Sequence, residues 1–379
     1  MITIYGSATN AIVYTVDNEQ YAIDEYARKQ LQMICNHVSA TDSKIRVMPD
    51  VHPGKVGTIG LTMTVGSSLL PSLVGVDIGC GMTLAKIKAK HIEYQKLDTV
   101  IRESVPSGGK IRKNAHKLSH TINLNQLHCQ KAVDTTRADL SIGTLGGGNH
   151  FIEVDQDDDG SFYLIIHSGS RHLGMEVTEY YLKAGQHEQQ MKKQGGYASY
   201  EMTCLTGELL DSYFHDLAIT QEFAEINRAA IVDEIVRGMK WQVLDLYCCI
   251  HNYIDFSESV PILRKGAIRA KEGERVIIPI NMRDGVILAT GRGNAEWNYS
   301  APHGSGRVYR RSEVKEHHTV SEFKKAMAGI HSICVNKDTL DESPFAYRKL
   351  EDIATVINDT VQIDKIIKPV YNFKAGGNP

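Results

Sequence analysis

The sequence predicts a single mixed α/β domain over residues 1–379, on three observations. Strand-like segments recur along the chain, stretches with helical spacing of apolar residues separate them, and no repeat, linker or low-complexity tract divides the sequence. With 42% hydrophobic residues the chain can bury one large core. A net charge of -3 and a pI near 6.6 exclude a globally basic protein, so nucleic-acid binding would need a local basic patch. Residues 1–6 lack the charged and apolar regions of a signal peptide, and no apolar run approaches a membrane span. A cytoplasmic protein without a membrane partner is expected. The seven cysteines are an odd, scattered set with Cys248 beside Cys249, which predicts reduced thiols rather than a disulfide framework.

The elements follow in order. Ile23, Ala27, Leu31 and Ile34 recur at helical spacing, and residues 45–48 read as a short strand. Pro49-Asp50-Val51-His52-Pro53-Gly54-Lys55 reads as a polar loop leading to the alternating Ile59, Leu61, Met63 and Val65. An apolar strand is expected to run into Asp77-Ile78-Gly79-Cys80-Gly81, and residues 83–87 read as the strand that leaves it. Gly79 and Gly81 allow a sharp turn, so that a carboxylate and a thiol can face one spot; an inert buried cysteine beside a turn would need no such pairing.

Leu97, Val100, Ile101 and Val105 predict a short helix. Lys110, Arg112, Lys113 and Lys117 then form a basic loop that serves either as solvated surface or as a landing site for phosphates. Gly146-Gly147-Gly148 before Asn149 and His150 implies close backbone approach or a tight turn, without the lysine and hydroxyl of a phosphate-binding P-loop. The acidic run over 155–160 joins two strands and is read as a hairpin tip, the second strand delivering His167. Helices are expected over 175–194 and 221–239, the latter with Phe223, Ile226, Ala230, Ile231, Ile235 and Met239 inward. His251 stands beside Asn252 at the edge of an apolar segment. Strands over 276–280 and 286–289 lead to a glycine-rich loop and to Pro302-His303-Gly304-Ser305-Gly306-Arg307. The final portion is expected to be mostly helical, with Thr319 and Glu322 as a capping box.

Asp77, Cys80, His150, His167 and His251 each stand at the end of an apolar strand or in a loop beside one. That recurrence favours convergence on one metal site. A thiolate with imidazoles and a carboxylate suits zinc, manganese, iron or cobalt, and a bridging cysteine could hold two ions about 3.5–4 Å apart. His303 sits among small residues with Arg307 nearby. It reads as a nucleophile toward phosphorus, a sixth metal ligand or a loop histidine.

The motifs Met48-Pro49-Asp50-Val51-His52-Pro53-Gly54-Lys55, Val76-Asp77-Ile78-Gly79-Cys80-Gly81, Gly147-Gly148-Asn149-His150-Phe151, His167-Ser168-Gly169-Ser170-Arg171 and His303-Gly304-Ser305-Gly306-Arg307 occur in that order. Together they resemble the RtcB family of RNA-splicing ligases nearly end to end. The resemblance implies an RtcB-like fold whose strands feed a central dimetal site. It also implies a GTP- and manganese-dependent ligase that joins an RNA 3′-phosphate or 2′,3′-cyclic phosphate to a 5′-hydroxyl.

By the same resemblance Cys80 bridges two manganese ions, Asp77 and His150 complete one set of ligands, and His167 and His251 the other. His303 is the residue that carries GMP. Asn149, Glu153, Asn281, Gly304, Ser305, Gly306, Arg307, Tyr347 and Lys374 fall on the nucleotide side, and Lys55 and Arg171 face RNA. Two departures stand out. His172 follows Arg171 where the family usually has glycine, and Pro279-Ile280-Asn281-Met282-Arg283-Asp284 replaces a Pro-Gly-Ser-Met-Gly-Thr stretch of the nucleotide pocket. The compact chain resembles a shorter bacterial subgroup associated with repair of cleaved transfer or ribosomal RNA and with a release-factor-like partner. The alternatives are a non-ligating protein that binds RNA ends and a metal-dependent cyclic phosphodiesterase.

Overall fold

A computed structural model describes residues 1–15, 23–191 and 199–375. The fold is mixed α/β, built on two large sheets. One has seven strands in the spatial order Gln242–Ile250, Gly81–Lys88, Phe162–Ser168, Phe151–Gln156, Val361–Lys374, Gly285–Gly291 and Arg275–Asn281. The other has six, in the order Ile2–Tyr5, Asn10–Val13, Ile45–Pro53, Thr58–Thr64, Ile262–Lys265 and Asn252–Asp255. His251 is the single residue between a strand of the first sheet and a strand of the second.

Register explains why the ligand-type residues meet. Gly81 pairs with Ser168 and with Ile250, and Phe151 pairs with His167. Antiparallel neighbours therefore bring Cys80, His150, His167 and His251 to one end of the seven-stranded sheet, although they are far apart in sequence. The acidic run does form the tip of the hairpin between Phe151–Gln156 and Phe162–Ser168.

The helix Gly207–Met239 packs across this sheet end and begins well before the expected 221. Phe223, Ala230, Ile231, Ile235 and Met239 are buried as expected, and Asn227 and Arg228 are fully buried among them. The helix Arg171–Met191 opens on Arg171, whose φ of 56° lies in the left-handed region. That conformation costs about 1–3 kcal/mol and needs other bonds to hold it. The expected end of this helix, Gln194, lies outside the described residues. Among the described residues, no helix is long and apolar enough to cross a membrane.

Three expectations are corrected. The apolar stretch before Asp77 is not a strand: Pro71–Leu73 forms a 3₁₀ turn, with Leu70, Leu73 and Val74 buried. Proline at the first position of the turn favours it, and burial alone accounts for the apolar run. The supposed polar loop at Pro49 to Pro53 is the second half of the strand Ile45–Pro53, which bulges between Val47 and His52. Asp50 is fully buried there because its carboxylate has a partner. The final portion is not mostly helical. The capping box at Thr319 and Glu322 is present, but Val361–Lys374 is a 14-residue strand lying between Phe151–Gln156 and Gly285–Gly291.

Candidate active site

Cys80 Sγ lies 3.4 Å from His150 Nε2 and 3.3 Å from His167 Nε2. His167 Nε2 lies 3.4 Å from His251 Nε2, and His150 Nε2 lies 2.9 Å from Asp77 Oδ2. The contacts thus run Asp77, His150, Cys80, His167, His251, with the thiol in the middle. All four cysteine and histidine residues are buried. The imidazoles meet edge-on, with ring planes at 76° for His150 and His167 and 62° for His167 and His251.

This donor set fits a transition metal. Atoms held about 2.0–2.3 Å from one ion at tetrahedral angles lie about 3.3–3.8 Å from each other, and the thiol and imidazole spacings fall in that range. His167 Nδ1 lies 3.1 Å from the Asn149 carbonyl, which takes its proton and leaves Nε2 as the ligand atom. Burial pushes the Cys80 thiol well up, reinforced by the Asp77 charge, and pushes His167 and His251 well down. Burial also raises Asp77, but the His150 hydrogen bond and charge together with the Arg171 charge outweigh it and bring the carboxyl to about 2. A bound cation reverses the sign for the thiol, because coordination deprotonates it.

The loops that carry these ligands are braced from behind. Arg228 Nη1 donates to the Gly79 carbonyl at 2.7 Å and to the Ser168 carbonyl at 3.0 Å. Asn227 Oδ1 accepts from the Gly143 and Thr144 amides, while its Nδ2 donates to Ser168 Oγ and the Gly169 carbonyl. A Cβ at Gly169 would stand 2.0 Å from Asp77 Oδ1, so any larger residue there would displace the Asp77 carboxylate.

His303 follows the strand Ser300–Pro302, with its ring centroid 4.8 Å from that of His251. Its Nδ1 lies 2.8 Å from Asp50 Oδ2. That bond fixes the proton on Nδ1 and leaves Nε2, which has no hydrogen-bond partner among the described residues, as the nitrogen with a free lone pair. Arg348 holds the strand around Asp50 by donating to the Pro49 and Val51 carbonyls. Gly306, with φ 79°, stands so close to Asp50 that a Cβ there would lie 2.9 Å from the Asp50 backbone.

A cavity of about 1070 Å³ opens over the cluster. Its lining includes His303, Asn149, Glu153, Asn281, Gly304, Ser305, Gly306, Arg307, Tyr347 and Lys374, so the residues expected on the nucleotide side are gathered on one cavity. Asn281 is held by Asp284, the partner of its Nδ2 at 2.8 Å. Glu342 anchors the opposite wall. It lies 2.7 Å from Lys374, 3.3 Å from Arg307 and 2.7 Å from Arg311, and accepts from the Tyr347 hydroxyl at 2.6 Å. Burial opposes its ionisation, but the Lys374, Arg311 and Arg307 charges prevail and bring it to about 2.

A second cavity of about 910 Å³ reaches the cluster from another side, at Asp77, Asn149 and His150. Lys110, Arg137, Arg171, Arg311 and Lys315 line it. Arg171 is fixed there by the Gly108 carbonyl at 2.8 Å and by Thr144 Oγ1 at 3.2 Å. The basic loop is divided between the two readings. Arg112 and Lys117 are tied to Glu234 and Asp233 of the long helix, whereas Lys110 faces the cavity. Lys55 is exposed in the turn between Ile45–Pro53 and Thr58–Thr64 and lines neither cavity.

Asp50, Asn227, Arg228 and Glu342 are the residues that sequence reasoning missed. Asn227 and Arg228 do carry a signal, being polar positions on the apolar side of a helix. Asp50 is legible only through His303, and the cations that meet Glu342 all lie more than thirty residues away.

Fold and site together define a mixed α/β protein with a buried thiol, imidazole and carboxylate cluster between two cavities. The profile of the family described as tRNA-splicing ligase RtcB matches residues 30–133 and 120–375, and the chain belongs to that family. It is 29% identical over 367 residues to RNA-splicing ligase RtcB of Escherichia coli (strain K12), covering 87% of this chain and 90% of the relative. It is 25% identical over 414 residues to tRNA-splicing ligase RtcB of Nanoarchaeum equitans, covering 85% of each. A third relative, RNA-splicing ligase RtcB of Mycobacterium bovis, is 25% identical over 394 residues, covering 81% of this chain and 90% of its own length.

Proposed function

We propose that the protein is a GTP- and manganese-dependent RNA ligase that joins a 3′-phosphate or 2′,3′-cyclic phosphate end to a 5′-hydroxyl end. One observation carries the reading. His303, its Nδ1 held by Asp50, stands next to His251 of the ligand cluster on a cavity that also presents Arg307 and Lys374. An imidazole so oriented presents Nε2 as a nucleophile, and its cationic surroundings suit a phosphate.

Asp77, Cys80, His150, His167 and His251 would hold the manganese, whose charge offsets that of the phosphoryl oxygens and orients them. His303 Nε2 attacks the α-phosphorus of GTP, forming an N–P bond as the bond to pyrophosphate breaks. Asp50 keeps the proton on Nδ1 and stabilises the positive charge that develops on the ring. An oxygen of the RNA 3′-phosphate then attacks the same phosphorus and releases the imidazole, so that GMP passes to the RNA. The 5′-hydroxyl attacks the activated 3′-phosphorus, loses its proton and expels GMP. A cyclic phosphate is hydrolysed to the 3′-phosphate beforehand.

The second cavity supports an RNA end as the other substrate, because Lys110, Arg137, Arg171 and Lys315 offer it cations where it meets Asp77 and His150. His172, 3.2 Å from Glu176, lines the same cavity beside Arg171. We take cleaved RNA bearing these ends as the substrate class and repair as the role.

The test is transfer of label from α-labelled GTP to the purified protein with manganese, followed by sealing of RNA fragments with the two kinds of 3′ end. An acid-labile adduct and a sealed product are expected. No adduct with any divalent metal, or cyclic-phosphate opening without sealing, would overturn the reading.

A further inference from the structure

Glu153 and Asp155 stand two residues apart on the strand Phe151–Gln156, so their side chains leave the same face of the sheet. They are 2% and 0% exposed. Glu153 lines the larger cavity, and its Oε2 accepts from Asn372 Nδ2 at 2.5 Å. Asp155 has no comparable support, since neither of its carboxyl oxygens meets a hydrogen-bond donor among the described residues. Lys368 lies close enough to act through its charge, but its Nζ donates to the Asp284 carbonyl at 3.1 Å. The nearest like group on that face of the strand is the Glu153 carboxyl, two positions back and equally buried. Two buried carboxylates side by side repel each other, and a proton between them turns the repulsion into a hydrogen bond.

We propose that Asp155 keeps that proton and donates a hydrogen bond to Glu153, acting as the positioning residue that keeps Glu153 an anionic acceptor toward the ligand in the cavity. The inference rests on the nucleotide reading above and deepens it. An anionic acceptor selects a base edge that presents N–H donors, as guanine does at N1 and N2, over the adenine edge, where N1 is an acceptor.

The electrostatics agree. Burial pushes Glu153 up to about 7, against the Asp155 and Asn372 hydrogen bonds and the Lys374 charge. Asp155 is pushed well up by burial and by the Glu153 charge. The pair therefore holds one proton above about pH 7 and takes up a second as pH falls through that value, when Glu153 stops being an anionic acceptor. Lys374 and Lys368 face the pair from the strand Val361–Lys374, and Lys374 is already paired with Glu342 at 2.7 Å. On the other neighbouring strand the register partners are Ile165 and Tyr163, and the Tyr163 hydroxyl is spent on Asp157.

The experiment compares nucleotide transfer to the protein from GTP and from ATP, across pH, in wild type, Asp155→Asn and Asp155→Leu. Asparagine keeps a donor on Glu153 without a titrating proton. GTP preference should therefore survive in this variant, because a neutral donor still faces Glu153. Leucine removes the donor, and the GTP-to-ATP ratio should fall roughly tenfold. An unchanged GTP-to-ATP ratio in Asp155→Leu, or a ratio lost equally in Asp155→Asn, would overturn the proposal. Should wild type transfer no nucleotide, the nucleotide reading fails and the shared proton is read directly by infrared spectroscopy. A protonated-carboxyl band in wild type at about pH 8, well above ordinary carboxyl values, and missing from Asp155→Asn, supports the pair. Its absence from wild type sinks it.

Discussion

Two histidine clusters in this protein have nearly the same composition and opposite geometry. In the buried one, His150, His167 and His251 meet edge-on around Cys80, and Asp77 joins them through Oδ2. The other groups His128 and His215, both exposed, with the buried Asp216. There the rings stack face to face, 4.1 Å apart with planes at 8°. Lone pairs in parallel planes do not point at one ion. The Asp216 carboxylate is already filled, accepting from the His128 and Cys129 amides, the Tyr181 hydroxyl and His215 Nδ1. Ring orientation and unspent acceptor capacity, more than the kinds of residue present, separate a ligand site from a structural clasp.

His303→Ala should break the first cluster's function outright, leaving no GMP adduct on the protein while manganese still binds. Retention of the adduct would move the nucleophile elsewhere. Cys80→Ala removes the donor at the centre of the contacts. Manganese affinity measured by calorimetry should fall by more than the roughly 10–100-fold typical of losing a residue that only orients a ligand. Asp50→Asn keeps the shape but not the charge that fixes the His303 proton, and the adduct should form about 100-fold more slowly. Normal rates would reduce Asp50 to a packing residue.

Glu342→Gln addresses the cavity wall rather than the cluster. It leaves Lys374, Arg307 and Arg311 without their common counter-charge, at a cost of about 3–5 kcal/mol in urea unfolding at neutral pH. The Glu342 carboxyl titrates at about 2 rather than 4.5, so its contribution is fully present above 4.5 and is lost as pH falls toward 2. The gap between variant and wild type should close over that window. The smallest effect belongs to the stacked pair. His215→Ala should cost less than about 1 kcal/mol, because its hydrogen bond to Asp216 is half exposed, and should leave manganese binding unchanged. Weakened manganese binding in that variant would mean that the stacked pair also holds metal.

The sequence made the cluster legible because Cys80, His150, His167 and His251 lie at or beside strand ends, and strand ends in one sheet share an edge. Helical spacing at Ile23 to Ile34 and alternation at Ile59 to Val65 were readable for the same reason, since apolar period reports which face is buried. The failures have physical causes. The stretch from Leu70 to Val74 is buried without being a strand, and apolar content alone does not distinguish the two. Asp50 looked like loop because a buried charge is invisible until His303 stands opposite. Val361–Lys374 does carry a β-branched run, but its lysines and aspartate masked the alternation. Lys55 was assigned by motif, and nothing local reports that its turn leads away from both cavities.

Val361–Lys374 is the last strand among the described residues, yet it lies inside the seven-stranded sheet, carrying Asn372 and Lys374 to the cavity. During synthesis from the N-terminus, the strands on its two sides emerge first and wait with unpaired edges, Phe151–Gln156 for some two hundred residues. Such late, long-range closure makes folding slow and leaves an adhesive edge open in the meantime. The same strand delays competence, because the cavity gains Lys374 and the Asn372 support of Glu153 only when the sheet is complete. A nascent chain stalled before this strand would hold the thiol, imidazole and carboxylate cluster and His303, but not the finished pocket.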